Sequence, residues 1–144
     1  MIKIGKNLSK LSAYSCQPKT KEELKFIIKS RMDKEGPNCD LNDIDVSLIT
    51  DMSSVFAYSL FNGDISNWDV SNVKDMWGMF YMSWFNQDIS KWDVLNVKSM
   101  VSMFSKSKFD KDISNWKINS KCNIAGMFVE CSIKEEHKPK SLQQ

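Results

Sequence analysis

Apolar positions recur along this chain with a period of 24 residues. The segment FNGDISNWDVSNVKDMWGMF (residues 61–80) is followed at that offset by FNQDISKWDVLNVKSMVSMF (85–104) and FDKDISNWKINSKCNIAGMF (109–128), and preceded by PNCDLNDIDVSLITDMSSVF (37–56). Four segments align without a gap, which marks a repeat architecture rather than a chance motif. Six apolar columns run through the units. They are Leu41/Ile65/Ile89/Ile113, Ile44/Trp68/Trp92/Trp116, Val46/Val70/Val94/Ile118, Met52/Met76/Met100/Ile124, Val55/Met79/Met103/Met127 and Phe56/Phe80/Phe104/Phe128.

Two periodicities alternate inside each unit. Trp68 and Val70 flank Asp69, the spacing of a strand, whereas Met76, Met79 and Phe80 stand at i, i+3, i+4, the spacing of a helix face. The pattern predicts a strand, a turn and a short helix per unit. Ser71-Asn72 and Asp75 fit the start of that helix, and Asn62, Gly63 and Asn86 fit the return turn. One such unit cannot bury both faces, so neighbours must stack and close the core. The expected fold is therefore an α/β repeat solenoid, with its strands in a parallel ladder. Residues 1–36 form an arm and capping helix, 37–132 the four repeats and 133–144 a polar, frayed tail. Thr20 and Glu23 make a capping box ahead of Leu24, Ile27, Ile28 and Met32, and Gly36-Pro37 ends that helix. Lys117 and Lys121 replace an Asp and an apolar residue in the last unit, as suits an exposed edge.

The run DISNWDVSNV followed by DMxxMF resembles the BspA-like leucine-rich-repeat surface proteins, over about residues 37–128. The resemblance is carried by Trp68-Asp69-Val70-Ser71-Asn72-Val73 and Met79-Phe80 in order, and it suggests a short stand-alone member. It implies a leucine-rich-repeat-like stack and a role in protein interaction, with surface adhesion among the roles, and it brings no catalytic residues.

Charge sharpens the picture. Residues 1–37 hold nine Lys/Arg against four Asp/Glu, residues 38–104 three against nine, and residues 105–144 eight against five. The repeat body is thus acidic between basic ends, which argues against direct nucleic-acid binding, since phosphate contacts need positive charge on the folded body. No apolar stretch matches a transmembrane helix or a signal peptide, so the expected location is cytoplasmic, with the surface open only to another export route. Cys16, Cys39, Cys122 and Cys131 lack a CxxC pair and have only His137 to join them, so no metal is expected. Without a phosphate-cradling Gly loop or a paired nucleophile, the sequence points to no enzyme and no cofactor.

What the repeat does not require is where binding chemistry belongs. Trp77, Tyr81 and Trp84 occur only in the second unit. The counterparts are Ser53, Val101 and Ala125; Ala57, Ser105 and Val129; and Leu60, Lys108 and Ser132. On a helix their spacing aligns them on one side, and Tyr58 and Met82 extend the patch. Such a cluster is either an interface anchor or packing beneath the arm or tail. The second candidate is the ladder Asp45, Asp69, Asp93. It is either a set of turn-forming carboxylates or a negative stripe that docks a basic surface or imitates phosphates. Asp40, Asp64, Asp88 and Asp112 form a further column with a turn role.

The function expected is a non-enzymatic protein-binding module. One alternative is a small mobile-element or phage-type inhibitor that occludes a host defence nuclease, like an anti-CRISPR protein, and another is a surface adhesin. The partner is another protein, a nuclease or nucleic-acid-binding protein in the inhibitor reading. Homo-oligomers through the patch or the ladder ends are a third form of the same idea.

Overall fold

The computed structural model describes residues 14–142, so residues 1–13 of the expected arm lie outside the described residues. Among the described residues there is one α-helix, α1 (Lys21–Glu35). Thr20 caps it by accepting from the Glu23 backbone N–H at 3.1 Å, and the Glu23 carboxylate reaches back to the Lys19 N–H at 2.8 Å. Gly36, at φ 92, ends it by donating to the Met32 carbonyl. Leu24 and Ile28 are buried against the first unit. Arg31 forks onto both carboxylate oxygens of Asp43 at 2.9 Å and donates to the Asp40 carbonyl, while Lys21 meets Ser53 and Asp51. No helix among the described residues is long and apolar enough to cross a membrane.

The units are not strand-turn-helix modules, and the chain is not an α/β repeat solenoid. Among the described residues there is no sheet, only single-residue parallel bridges Cys16↔Ile44, Asp51↔Asp75, Asp75↔Ser99 and Ser99↔Asn123. The expected strand at Trp68–Val70 is absent because side chains capture its backbone. Asp64 accepts from the Ser66 N–H and Asp69 from the Ser71 N–H, which folds each stretch into an Asx turn. Trp68 and Val73 then donate to Ile65 and Val70, closing a tight turn on each side. The expected helix at Met76–Phe80 is absent because two residues per unit hold positive φ: Ser54 and Tyr58, Gly78 and Met82, Ser102 and Lys106, Gly126 and Glu130. A left-handed residue every fourth position stops an α-helix from propagating.

That same alternation builds the contact between units. The N–H groups of Met52, Ser54, Phe56 and Tyr58 donate to the carbonyls of Asp75, Trp77, Met79 and Tyr81 at 2.8–2.9 Å. Between them, Val55, Ala57 and Ser59 close turns within the unit at 3.1–3.3 Å. The pattern repeats from Met76–Met82 onto Ser99–Ser105, and from Met100–Lys106 onto Asn123–Val129. Backbone donors are thereby satisfied without helix or sheet.

The core is a set of aromatic columns along the stack. Phe56, Phe80, Phe104 and Phe128 lie face to face at 5.4–5.7 Å, and Trp68, Trp92 and Trp116 at 6.4–6.5 Å. Each indole N–H donates to a carbonyl of the preceding unit, Leu41, Ile65 or Ile89, at 2.9–3.1 Å. Phe61, Phe85 and Phe109 form a further fully buried column that the sequence reading used only as a boundary.

The tail is fastened rather than frayed over residues 134–142. Lys134 N–H donates to the Asp110 carboxylate at 2.9 Å, the offset used by Asn86 on Asn62 and by Asp110 on Asn86. Ile113 donates to the His137 carbonyl and Lys140 to Ser114, so the tail starts a fifth turn of the stack and covers one side of the fourth. Phe128, beside it, stays half-buried.

Candidate protein-binding surface

The last third of each unit, from the bridge residue to the return turn, carries both core and surface side chains. Met76, Met79 and Phe80 are fully buried, while Trp77 is 50 % and Trp84 56 % exposed. Both of those indoles are therefore outside the core. The tail sits against Asp110, Ile113, Ser114 and Phe128, and residues 1–13 of the arm lie outside the described residues.

The structure divides the expected cluster. With no helix to align them, Trp77 and Tyr81 line a groove of ≈ 380 Å³ together with Tyr58, Ser54, Gly78 and Ser102, and Trp84 is not part of it. Trp84 lies instead against Lys108, whose ammonium sits 5.6 Å from the indole centroid. Met82, 42 % exposed, sits at one of the left-handed positions. Sequence alignment pairs Tyr58 with Met82, but the inter-unit hydrogen bonds run one residue shorter. Tyr58 donates its N–H to the Tyr81 carbonyl, and the two rings meet edge to face at 5.4 Å. Tyr58 thus belongs to the groove's wall rather than to an extension of it. Ser54, Gly78 and Ser102 went unnoticed in the sequence. Their shared signal is a column of small residues that all hold positive φ.

The acidic residues serve turns. Asp45 accepts from the Ser47 N–H at 3.0 Å and from Gln17, Asp69 from the Ser71 N–H and hydroxyl, and Asp93 from the Leu95 N–H at 3.1 Å. Asp40, Asp64, Asp88 and Asp112 make the same turn one step earlier. Hydroxyl and N–H donors of Ser66 hold Asp64 below the usual carboxylate range, and those of Ser90 do so for Asp88. These bonds let like charges recur in register along the stack.

The remaining reactive groups are dispersed. Cys39 is buried, Cys16, Cys122 and Cys131 are half-buried, and all four are free thiols. Burial pushes the Cys39, Cys122 and Cys131 thiols up, away from the nucleophilic thiolate. His137 faces Asp110 at 2.9 Å. Among the described residues no group of three or more His, Cys, Asp or Glu side chains is placed to hold a metal ion.

No curated protein and no solved structure matches this chain. Residues 27–140 match the family described as "Mycoplasma protein of unknown function, DUF285". That span takes in the second half of α1, all four units and most of the tail, and it is related to the BspA-like repeat surface proteins that the sequence resembles. The chain belongs to the DUF285 family.

Proposed function

We propose that the chain is a non-enzymatic protein-binding module, a short stand-alone relative of the BspA-like proteins, with its interface on the Tyr58, Trp77 and Tyr81 groove and on neighbouring Met82 and Trp84. The observation that carries this reading is the exposure of two tryptophans in one unit, at positions where the other units fold with Ser, Val, Ala, Leu or Lys. Keeping such rings in water costs solubility without serving the core, and exposed Trp and Tyr are the residues most enriched at interface hot spots. The turn-bound carboxylates of Asp45, Asp69 and Asp93 flank a body of negative charge, which steers a basic partner surface rather than anchoring it.

An affinity capture with wild-type protein and the Trp77→Ala/Tyr81→Ala/Trp84→Ala variant, read by mass spectrometry, tests the proposal. One protein held stoichiometrically by the wild type and lost by the folded variant is the expected result. Its identity, a nuclease or a surface component, then separates an inhibitor from an adhesin. Equal capture by both forms would remove the aromatic surface from the account.

A further inference from the structure

We propose that the open edge of the fourth unit is a separate docking site, which takes a segment of another protein folded as this repeat folds, with backbone carbonyls at alternate residues and a phenylalanine among them. The site is independent of the aromatic groove, and the molecule displays three times what fits on such an edge.

Each unit points a row of backbone N–H groups at the next. Met100, Ser102, Phe104 and Lys106 donate to the carbonyls of Asn123, Ala125, Met127 and Val129 at 2.8–2.9 Å, as the two units before them do to their own successors. The equivalent donors of the fourth unit are Ile124, Gly126, Phe128 and Glu130, and among the described residues their N–H groups have no acceptor. Apolar surface is left uncovered with them. Met100 and Phe104 are fully buried, whereas Ile124 and Phe128 are half-buried and Val129 is 52 % exposed. The tail bonds to Asp110, Ile113 and Ser114, in the first half of the unit, and a hollow of ≈ 520 Å³ remains over Ile124, Gly126, Phe128 and Val129, with Lys138 and Leu142 beside it. An unpaired row of this kind is a template for a further chain.

The interface between units names the occupant. The row offers donors alone, two residues apart, and a β-strand laid on it would leave its own N–H groups on that edge without acceptors. The repeat avoids this conflict. Along residues 75–81 the carbonyls of Asp75, Trp77, Met79 and Tyr81 face the preceding unit, while the N–H groups of Trp77, Met79 and Tyr81 bond to the Asp75 carboxylate and to the Met76 and Gly78 carbonyls of their own unit. Such an edge consists of acceptors. A ring also has its seat: Phe104 stacks on Phe128 at 5.7 Å, and where the next Phe of the column would follow, Phe128 has only the Lys138 ammonium, 5.4 Å from its centroid. A second copy of this chain does not supply the segment. Its carbonyl rows in the second, third and fourth units already accept, and the remaining row, Asp51, Ser53, Val55 and Ala57, belongs to the unit that α1 packs across. The partner is therefore a different chain that offers this segment with no helix over it. Because α1 closes the other end, association stops at one partner instead of propagating as a filament.

Amide exchange and a peptide titration on the full-length, isotope-labelled chain, both read by NMR, test the inference. In the free protein, exchange at Ile124, Gly126, Phe128 and Glu130 should run at least about tenfold faster than at Met100, Ser102, Phe104 and Lys106. A peptide of residues 97–108, whose Ser99, Val101, Met103 and Ser105 carbonyls accept from the second unit within the chain, is then added up to about 1 mM. Saturable shifts and slowed exchange at the four edge amides are the expected result. Phe104→Ala in the peptide and Phe128→Ala in the protein should each weaken binding by about fivefold or more, while Leu48→Ala, in the first unit, should leave it unchanged. Near-ultraviolet circular dichroism verifies that both protein variants keep the stacked core. Equal protection of the two rows in the free protein, no saturable shift at the edge, or undiminished binding after either Phe→Ala change would each overturn the inference. Edge protection that grows with protein concentration alone would make the occupant a second copy, and would overturn it as well.

Discussion

Gly63 shows how tightly one residue can be specified in a repeat that tolerates Gln87 and Lys111 at the same position. A Cβ there would stand 1.8 Å from the Cys39 carbonyl oxygen and 2.8 Å from the Phe61 ring, so backbone would have to move to admit it. Gly63→Ala should destabilise the protein by about 1–3 kcal/mol, measured by urea denaturation, as overpacking of a close backbone contact does. An unchanged midpoint would mean that the first and second units are not in this register. The carboxylates make the opposite point, because their chemistry is local. Each Asp that the sequence presents as a charged ladder is tied to an N–H two residues on, and the Asp-x-Ser spacing repeated in DIS and DVS was the legible sign of it.

At the scale of elements, the repeat length, the capping helix and the apolar columns were readable from the sequence, while the conformation between them was not. Trp68-Asp69-Val70 alternates like a strand, yet the alternation there comes from turns that send successive side chains in and out. Met76, Met79 and Phe80 keep a helical spacing because three i→i+3 turns in succession give nearly the same spacing as one helix. The distinguishing feature is the left-handed column, which glycine marks only at Gly78 and Gly126, whereas Ser54, Ser102 and Lys106 hold it without any compositional sign. The groove was half legible for the same reason. Trp77 and Tyr81 stood out by subtraction, but a helix placed Trp84 with them and left Tyr58 at the margin. Lys106, exposed and at φ 58, isolates the backbone effect. Lys106→Ile should cost about 1 kcal/mol or more, since a β-branched residue resists positive φ, and Lys106→Gly should be neutral or stabilising. The exposed pair with Glu130 at 4.0 Å is too weak to reverse that order. The opposite ranking of midpoints would restore a helix to this segment.

For the whole molecule, stability comes from stacking and is finished at each end, by α1 on the first unit and by the tail on the fourth. The tail's attachment titrates. The Lys134 N–H holds the Asp110 carboxyl below its ordinary value against an opposing effect of burial, with further help from His137. A carboxylate whose folded pKa is lowered stabilises fully above its unfolded value of about 3.9, and that stabilisation is lost as pH falls through the lower folded value. Amide exchange at Lys134 and Ile113 should therefore accelerate, relative to the core tryptophan units, as pH drops below about 4, and Asp110→Asn should remove the extra pH dependence. Exchange that rises uniformly through the chain would place the acid-sensitive contact elsewhere. The central claim is that the second unit's aromatics serve a partner while the repeated rings serve the fold, and denaturant unfolding of two variants tests it most directly. Trp92→Ala, which deletes a ring 4 % exposed and its bond to the Ile65 carbonyl, should lose about 3–5 kcal/mol. The Trp77→Ala/Tyr81→Ala/Trp84→Ala variant should lose less than about half of that, despite removing three rings. A triple variant as unstable as Trp92→Ala would show that those aromatics are part of the core and would contradict the account.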